Sequence, residues 1–331
     1  MAFKRKGPKK SRKDIADIAT GKLVGKVLEL LREAQSRGEN LFWNRPFDGY
    51  GSSGHSIGQL LQRQYSHATG KPYGGINFIL LALEAFSKGY QSDKWLTFNR
   101  MTSLGGKLRG KQSTTPILKY NNRVYTYTEK NEKGEEVERQ RQSFFLAYDN
   151  VFNLDQIEGI EDVDVAELQP LEGDYDVIAA AEKVVEGYGD KPPITHNGGD
   201  LAFYLPALDS IHMPAREKFN SVETYYSVLF HEMIHSTGHS SRLNREIGST
   251  PVHSGGEVYG REELVAELGG MFLSSRSGVN ASVENSTAYI QHWINAIEAD
   301  PDILIYAAKH GEAAANYILG TQEENRNREV A

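Results

Sequence analysis

The chain contains 331 residues, of which 39% are hydrophobic, and this length and composition predict two domains with hydrophobic cores. Cysteine is absent, which excludes disulfides and thiolate metal sites, so any zinc ion must be held by histidine and carboxylate. No apolar signal segment follows the basic N-terminus, and the longest apolar run, over 76–86, is too short to span a bilayer. We therefore expect a cytoplasmic protein with no membrane partner.

The net charge of −7 hides a difference between the two halves of the chain. Residues 1–155 carry 26 Lys and Arg against 15 Asp and Glu, whereas residues 156–331 carry 11 against 29. The first half thus has a net charge of +11 and the second a net charge of −18. This asymmetry predicts that the first half binds a polyanion and that the second does not.

Composition divides the chain into two domains with charged connections. A basic tail (1–13), with seven basic residues and no acidic one, precedes a first domain (14–157). An acidic linker (158–173) leads to a second domain (174–321), which is followed by a short tail (322–331). The element pattern predicts an α+β fold, with a small mixed α/β domain followed by a helix-rich one.

The first domain contains both helical and strand patterns. Apolar residues at helical spacing predict a helix over 14–36 and a buried helix over 78–86. Runs rich in β-forming residues predict strands at 115–120 and 123–128, and a third at 143–152 after a charged hairpin tip.

Aromatic and basic residues interleave over 67–77 and 95–120, and the second segment contains a glycine-rich basic turn. Single-stranded nucleic acid requires this mixture, because rings stack on bases at about 1–3 kcal/mol each while Lys and Arg contact phosphates. Glycines also let backbone N–H groups approach a phosphate. For rings such as Trp95 and Phe98, the alternative is a place in the core. The candidate DNA contacts are Lys71, Tyr73, Trp95, Arg100, Lys107, Arg109 and Lys111.

The second domain is predicted to begin with a helix over 175–188, followed by short strands at 194–197 and 201–205. The segment 209–214 is predicted to be an edge strand, where a peptide could add as a further strand. Later helices are predicted at 257–273, 288–299 and 302–319.

The most informative pattern is His-Glu-x-x-His, formed by His231, Glu232 and His235 on a predicted helix that Asn220 or Ser221 can cap. Residues four apart lie about 40° apart around a helix, so the two imidazoles can bind the same Zn²⁺. Glu232 can then act as general base on a water at the metal's open position. The alternative is a pair of surface histidines.

A third ligand is required, and the sequence offers several. His239 directly follows a glycine and does not match the spacing of the three-histidine motif. His253 does not lie at a motif spacing from His231 and His235. On the next predicted helix, Glu263 and Glu267 are four apart and share a face. We predict Glu263 as the ligand and Glu267 as the carboxylate that orients a histidine ring. Glu262 is the rival ligand, because the sequence leaves the helix phase open by one residue.

Several motifs together resemble a known family. HATGKPYGGIN, WLTFNRMTSLGGKLRGK and FFLAYDNVFNLDQIEG resemble the N-terminal single-stranded-DNA-binding domain of ArdC-type antirestriction proteins, which is related to the N-terminal part of TraC-type plasmid primases. DSIHMP, YYSVLFHEMIHSTGHSSRLNR and YGREELVAELGGMFL resemble that family's C-terminal zinc metallopeptidase-like domain. The resemblance covers roughly residues 15–320. It implies a gluzincin-like site of His231, His235 and a helix glutamate, which we place at Glu263.

The resemblance also implies a protein of mobile elements, such as conjugative plasmids, that protects incoming DNA from type I restriction. In our first hypothesis the first domain binds single-stranded DNA and the second is a zincin that hydrolyses a peptide bond, with restriction-enzyme subunits as candidate targets. The cofactor is Zn²⁺, or another divalent ion such as Mn²⁺ or Co²⁺. One alternative is a DNA-binding protective protein with a structural zinc site, and another is a protease that acts on DNA-bound proteins.

Overall fold

The computed structural model describes residues 12–37, 63–130, 136–160, 177–196, 199–245, 257–277, 279 and 287–321. The predicted N-terminal tail up to residue 11, most of the acidic linker and the C-terminal tail lie outside these residues. The fold is α+β, as predicted. The elements of the first half are α1 (Arg12–Arg37), β1 (Tyr65–Ser66), α2 (Gly75–Lys88), β2 (Lys94–Thr97), α3 (Phe98–Ser103), β3 (Lys107–Leu108), β4 (Thr115–Lys130), β5 (Glu136–Asn153) and β6 (Ile157–Glu158).

Both predicted helices of the first half are confirmed. Helix α1 buries an apolar stripe that includes Leu23, Val27 and Leu31. Helix α2 is the buried helix, and Gly89 ends it in the left-handed conformation with a φ of 68°. It begins beside Gly74, where a Cβ atom would lie 2.4 Å from the Glu312 carboxylate. A larger residue at position 74 would therefore require the Glu312 side chain to move.

The described strands of the first half form a four-stranded sheet in the order β1-β2-β5-β4 and a small β3-β6 pair. The prediction of three strands between residues 115 and 152 is wrong, because there are two long ones. The β4–β5 ladder runs from the pair Thr115–Val151 to the pair Lys130–Glu136 without a break. Asn121, which lies between two of the predicted strands, is itself a ladder residue.

The second half contains a three-stranded sheet and five helices among its described residues. Its elements are α4 (Val177–Gly187), β7 (Ile194–His196), β8 (Phe203–Leu205), β9 (Ser210–Met213), α5 (Val222–Thr237), α6 (Glu257–Ser277), α7 (Thr287–Ala299) and α8 (Asp302–Ile318). The strand order is β7-β9-β8. The prediction of an edge strand at 209–214 is therefore wrong: β9 is central, with β7 parallel on one side and β8 antiparallel on the other.

One hydrophobic core joins the two halves of the chain. Leu31 of α1 and Leu80 of α2 belong to the same buried cluster as Phe230 of α5 and Leu304 of α8. The ring centroid of Phe78 in α2 also lies 5.2 Å from that of Phe272 in α6. The first two helices therefore support the helices that carry the His-Glu-x-x-His pattern and its glutamates.

Candidate metal centre and nucleic-acid surface

Helix α5 presents the His-Glu-x-x-His pattern from a buried position. The helix begins after Ser221, whose side chain accepts a hydrogen bond from the backbone N–H of Thr224 at 3.1 Å. It ends at Thr237, directly before the predicted stop at Gly238. All residues over 228–237 are buried, so the pattern lies inside the protein and is not a pair of surface histidines.

Three side chains converge on one point. The Nε2 atoms of His231 and His235 are 3.0 Å apart. The carboxylate oxygens of Glu263, on α6, lie 3.6 Å from His231 Nε2 and 3.3 Å from His235 Nε2. Ligand atoms that are each about 2.1 Å from a tetrahedral ion lie about 3.4 Å from one another. The three observed separations fit that spacing, and this is the only such group found among the described residues.

Glycines let helix α6 come close enough to present Glu263. A Cβ atom on Gly269 would lie 2.8 Å from the side chain of Ile234 on α5. On the other side of α6, a Cβ atom on Gly311 of α8 would lie 2.7 Å from the backbone nitrogen of Gly269. Helix α8 thus packs nearly backbone to backbone against α6, and α6 packs closely on the Ile234 side chain of α5. This packing holds Glu263 near the two histidines.

A second layer of charged side chains holds His235. The Glu262 carboxylate lies 3.5 Å from His235 Nδ1 and accepts two hydrogen bonds from Arg245, at 2.6 and 3.0 Å. Arg245 also donates to the Thr237 hydroxyl and to the Ile234 carbonyl, each at 2.8 Å. The structure therefore places Glu262 behind a histidine and not at the convergence point. Adjacent helix residues differ by about 100° in direction, so the two glutamates can reach opposite sides of one ring.

Glu267, the predicted orienting carboxylate, lies on the other side of the site. Its Oε1 is 3.9 Å from His231 Nδ1, which is the expected direction but longer than a hydrogen bond. From the sequence alone, we did not assign the orienting role to Glu262. The sequence also carries no signal for Arg245, because the contact between Arg245 and Glu262 depends on the path of the loop after α5.

The buried charges of the site balance one another. Burial alone lowers the pKa of His235, but its hydrogen bonds with Glu262 and Glu263 raise that pKa well above the usual value. Burial alone raises the pKa of Glu263, but its contacts with His231 and His235 lower that pKa far below its usual value. The site therefore gathers carboxylate charge around the two imidazoles, where a divalent cation could replace their protons.

Glu232 is only 5% exposed. Burial raises the pKa of its carboxyl group, while His231, His235 and the backbone N–H of Tyr204 act in the opposite direction. Tyr204 lies in β8, which is an edge strand of its sheet. Glu232, the candidate general base, thus contacts the backbone of the edge strand β8.

The other proposed third ligands do not join this group in the described structure. His239 lies just past α5, and its Nδ1 is 2.8 Å from the Ser241 hydroxyl. It is not part of the cluster of possible metal ligands. His253 lies outside the described residues.

The basic candidates for DNA contact lie at the surface of the first half. Lys71, Arg100, Lys107 and Lys111 are exposed. Arg109 is exposed as a residue, although its Nε donates to the Ile157 carbonyl at 2.9 Å. These positions leave the charged ends of the side chains available to solvent.

The aromatic candidates need a correction. Trp95 is fully buried, and its Nε1 donates to Gln64 at 2.6 Å, so its ring cannot stack on a base in this structure. Tyr73 is half-buried and packs against the cluster that contains Trp95. Phe98, which could equally have been a core residue, is instead 55% exposed. Strand β2 lies between two other strands and buries Trp95, whereas Phe98 starts a short helix at the surface.

The glycines of the basic turn have structural roles. Gly105 and Gly110 have φ values of 81° and 72°, a region that strongly favours glycine. A Cβ atom on Gly106 would lie 2.5 Å from Ile160. The shape of the turn thus accounts for its glycines, and its exposed basic side chains remain the candidates for DNA contact.

Comparison with known proteins places both halves in one family. A family model described as the N-terminal domain of anti-restriction factor ArdC matches residues 22–152, and one described as a zincin-like metallopeptidase matches residues 179–310. The metal-free and Mn(II)-bound crystal structures of the antirestriction ArdC protein from plasmid R388 are each 26% identical to the chain, with TM-scores of 0.60 and 0.61. They match 94% and 93% of this chain, and 98% of their own chain in each case. The chain is an ArdC-type protein.

The relationship extends to a much longer protein. The DNA primase TraC of Escherichia coli is 30% identical over 273 residues, which cover 77% of the ArdC-type chain but only 24% of the primase. In the ArdC-type protein, the convergent His231, His235 and Glu263 all lie within the zincin-like region, where a divalent metal is the expected ligand. No helix in the described part of the chain is long and apolar enough to cross a membrane.

Proposed function

We propose that this ArdC-type protein acts in the cytoplasm to protect incoming DNA from type I restriction. Its first half binds single-stranded DNA, and its second half is a metallopeptidase that holds one divalent ion at His231, His235 and Glu263. The observation that carries the enzymatic part is the convergence of two imidazole Nε2 atoms and one carboxylate at separations of 3.0 to 3.6 Å.

The donor set supports a divalent ion of the first transition series. Two imidazole nitrogens and one carboxylate oxygen are ligands that zinc accepts in open, catalytic sites, and Mn²⁺ or Co²⁺ can use the same donors. When bound, the ion supplies Lewis-acid chemistry, polarising a peptide carbonyl and lowering the pKa of a water molecule. The chain itself supplies a buried base and a fixed geometry.

Glu232 is the residue that moves protons in this proposal. Its carboxylate takes a proton from the attacking water and then delivers it to the nitrogen of the leaving amine. Because burial raises the pKa of this carboxyl group, it is better matched to neutral pH than an exposed glutamate. The contact with the Tyr204 backbone N–H orients the carboxylate.

Strand β8 gives the substrate a place to bind. It is an edge strand of a three-stranded sheet and lies against Glu232 through Tyr204. An extended peptide can add to such an edge by main-chain hydrogen bonds. This is the role that the sequence predicted for 209–214, now assigned to a different strand.

Peptidase activity can be tested with purified subunits of a type I restriction enzyme, incubated with the metal-loaded protein. We expect cleavage by the wild type and a loss of at least about a hundredfold in Glu232→Gln, which removes the general base. Glu223→Gln, on the first turn of the same helix, is the matched control and should cleave normally. If wild type and Glu232→Gln both bind metal and neither cleaves, the enzymatic half of the proposal is wrong, and the metal is structural.

The DNA-binding half of the proposal rests on an exposed basic segment. No acidic residue occurs over 94–111, while Arg100, Lys107 and Lys111 are exposed together with the ring of Phe98. Cations can meet phosphates and the ring can stack on a base, which favours unpaired DNA. We expect single-stranded oligonucleotides to bind more tightly than duplex in fluorescence anisotropy. Equal or tighter duplex binding would contradict this half.

A further inference from the structure

The β4–β5 hairpin extends beyond the body of the protein. At its base, Ile117 and Val151 are buried in the same cluster as Trp95, and Ala147 is also buried. Farther out, every described residue over 126–129 and 136–140 is exposed, on both faces of the ribbon. At about 3.3 Å per residue, Tyr127 lies roughly 33 Å along the strand from Ile117. A two-stranded ribbon that buries neither face adds little to stability, so its length calls for another explanation.

The register gives the ribbon two chemically different faces. Tyr127 is paired with Arg139, and Tyr125 is paired with Arg141. Paired residues of an antiparallel ladder lie on the same face, as do residues two apart along a strand. Arg123 therefore shares this face as well. We call these five positions the ribbon face.

The opposite face has no aromatic or basic residue at the corresponding positions. There Thr126 is paired with Gln140, and Thr128 is paired with Glu138. Over 123–128 and 138–141 the basic and aromatic residues therefore all lie on the ribbon face. Nearer the tip, Glu129 also lies on that face, and Lys130, paired with Glu136, lies on the opposite one.

On the ribbon face, the side chains of Tyr127 and Arg139 are available to a ligand. The ring of Tyr127 is 43% exposed. Arg139 forms an ion pair with Glu129 at 3.2 Å, but both side chains are more than half exposed. An ion pair so open to water contributes little, so Glu129 does not prevent Arg139 from meeting a phosphate.

We infer that the ribbon face is a second contact surface for single-stranded DNA, in addition to the segment around Phe98. This inference rests on the proposed DNA-binding function. Alternating rings and guanidinium groups fit a single strand, because rings and guanidinium planes stack on bases while the positive charge meets phosphates. Duplex DNA would offer the rings no unstacked base.

The test compares double variants on the two faces of the ribbon in the full chain. Tyr127→Ala with Arg139→Gln removes one ring and one charge from the ribbon face. Thr128→Ala with Gln140→Ala changes two exposed residues of the opposite face and is the matched control. All four positions are exposed, so each variant should keep the wild-type melting temperature. The probe is a fluorescent oligothymidylate of about 30 nucleotides, long enough to reach both surfaces.

We expect the ribbon-face variant to bind this oligonucleotide about tenfold more weakly than wild type, with a flatter dependence of affinity on salt, and the control to match wild type. If the ribbon-face variant binds the oligonucleotide as tightly as wild type, the inference is wrong. Loss of binding to a protein by that variant would not rescue it, because the ribbon face would then be a protein-binding surface. That result leaves the proposed function intact, since wild type would still bind DNA. If wild type itself fails to bind, the proposed function and this inference both fail.

Discussion

The carboxylate behind His235 gives a sharp test of how the metal site is built. Glu262→Gln keeps the shape of the side chain but removes its negative charge. In the wild type this carboxylate lies 3.5 Å from His235 Nδ1 and is held by two hydrogen bonds from Arg245. Without it, the ring loses the partner that fixes its orientation and raises its basicity as a ligand.

Loss of such a partner typically lowers metal affinity by about 10- to 100-fold, equivalent to about 1.4–2.7 kcal/mol. We expect Glu262→Gln to fall in the upper part of this range, because Glu262 is only 7% exposed and is fixed by Arg245. Glu267→Gln should have a smaller effect, since its oxygen lies 3.9 Å from His231 Nδ1. The ordering of the two variants follows directly from the two distances.

The assay is competition for Zn²⁺ between the protein and a fluorescent chelator, at a temperature where each variant is shown to be folded. Folding must be checked because Glu262→Gln also leaves Arg245 buried with a neutral partner, a change that can destabilise a protein by about 3 kcal/mol or more. Glu84→Gln, at a buried glutamate on α2 outside the candidate metal-ligand cluster, is the matched control and should keep wild-type metal affinity. If folded Glu262→Gln binds Zn²⁺ as tightly as wild type, our reasoning about this second layer is wrong.

Three further predictions concern packing, charge and DNA. Gly311→Ala should destabilise the fold by about 1–3 kcal/mol in urea denaturation, because its Cβ would lie 2.7 Å from the backbone of Gly269, whereas Gly260→Ala, with open space around it on α6, should be neutral or stabilising. Burial raises the pKa of Glu84 above 4.5, so the stability contributed by its neutral form is present at low pH and is lost as the pH rises through the raised value. Glu84→Gln should therefore gain stability relative to wild type from pH 4.5 towards neutrality, and a constant difference would contradict this. Replacing Lys107, Arg109 and Lys111 with Gln should flatten the plot of log affinity for single-stranded DNA against log salt by about 2, and an unchanged slope would exclude these contacts.

The helices that carry the site could be predicted because their signals are local. Ser221 caps α5 as its sequence suggests, and the spacing of His231 and His235 defines one face of the helix. The pairing of α5 with α6 could not be derived in the same way. It depends on Gly269 meeting Ile234 and on Gly311 meeting Gly269, contacts between residues far apart in the chain.

The wrong predictions for β9 and Trp95 have the same cause, because both depend on contacts between segments that are far apart in the chain. Strand β9 has the pattern of a strand at either position in a sheet, and its central place depends on β7 and β8 binding to its two sides. Trp95 and Phe98 are three residues apart in one aromatic, basic segment, yet one is fully buried and the other is 55% exposed. Composition indicates that such a segment can bind DNA, but only the sheet determines which ring is available.

We have proposed that His231, His235 and Glu263 hold one divalent ion. Equilibrium dialysis of the full chain against Zn²⁺ and Mn²⁺, followed by elemental analysis, tests it most directly. We predict one tightly bound ion per chain, lost in His235→Ala and in Glu263→Gln and retained in Glu232→Gln. A wild-type chain that binds no ion, or variants at the three ligand positions that keep it, would contradict the account.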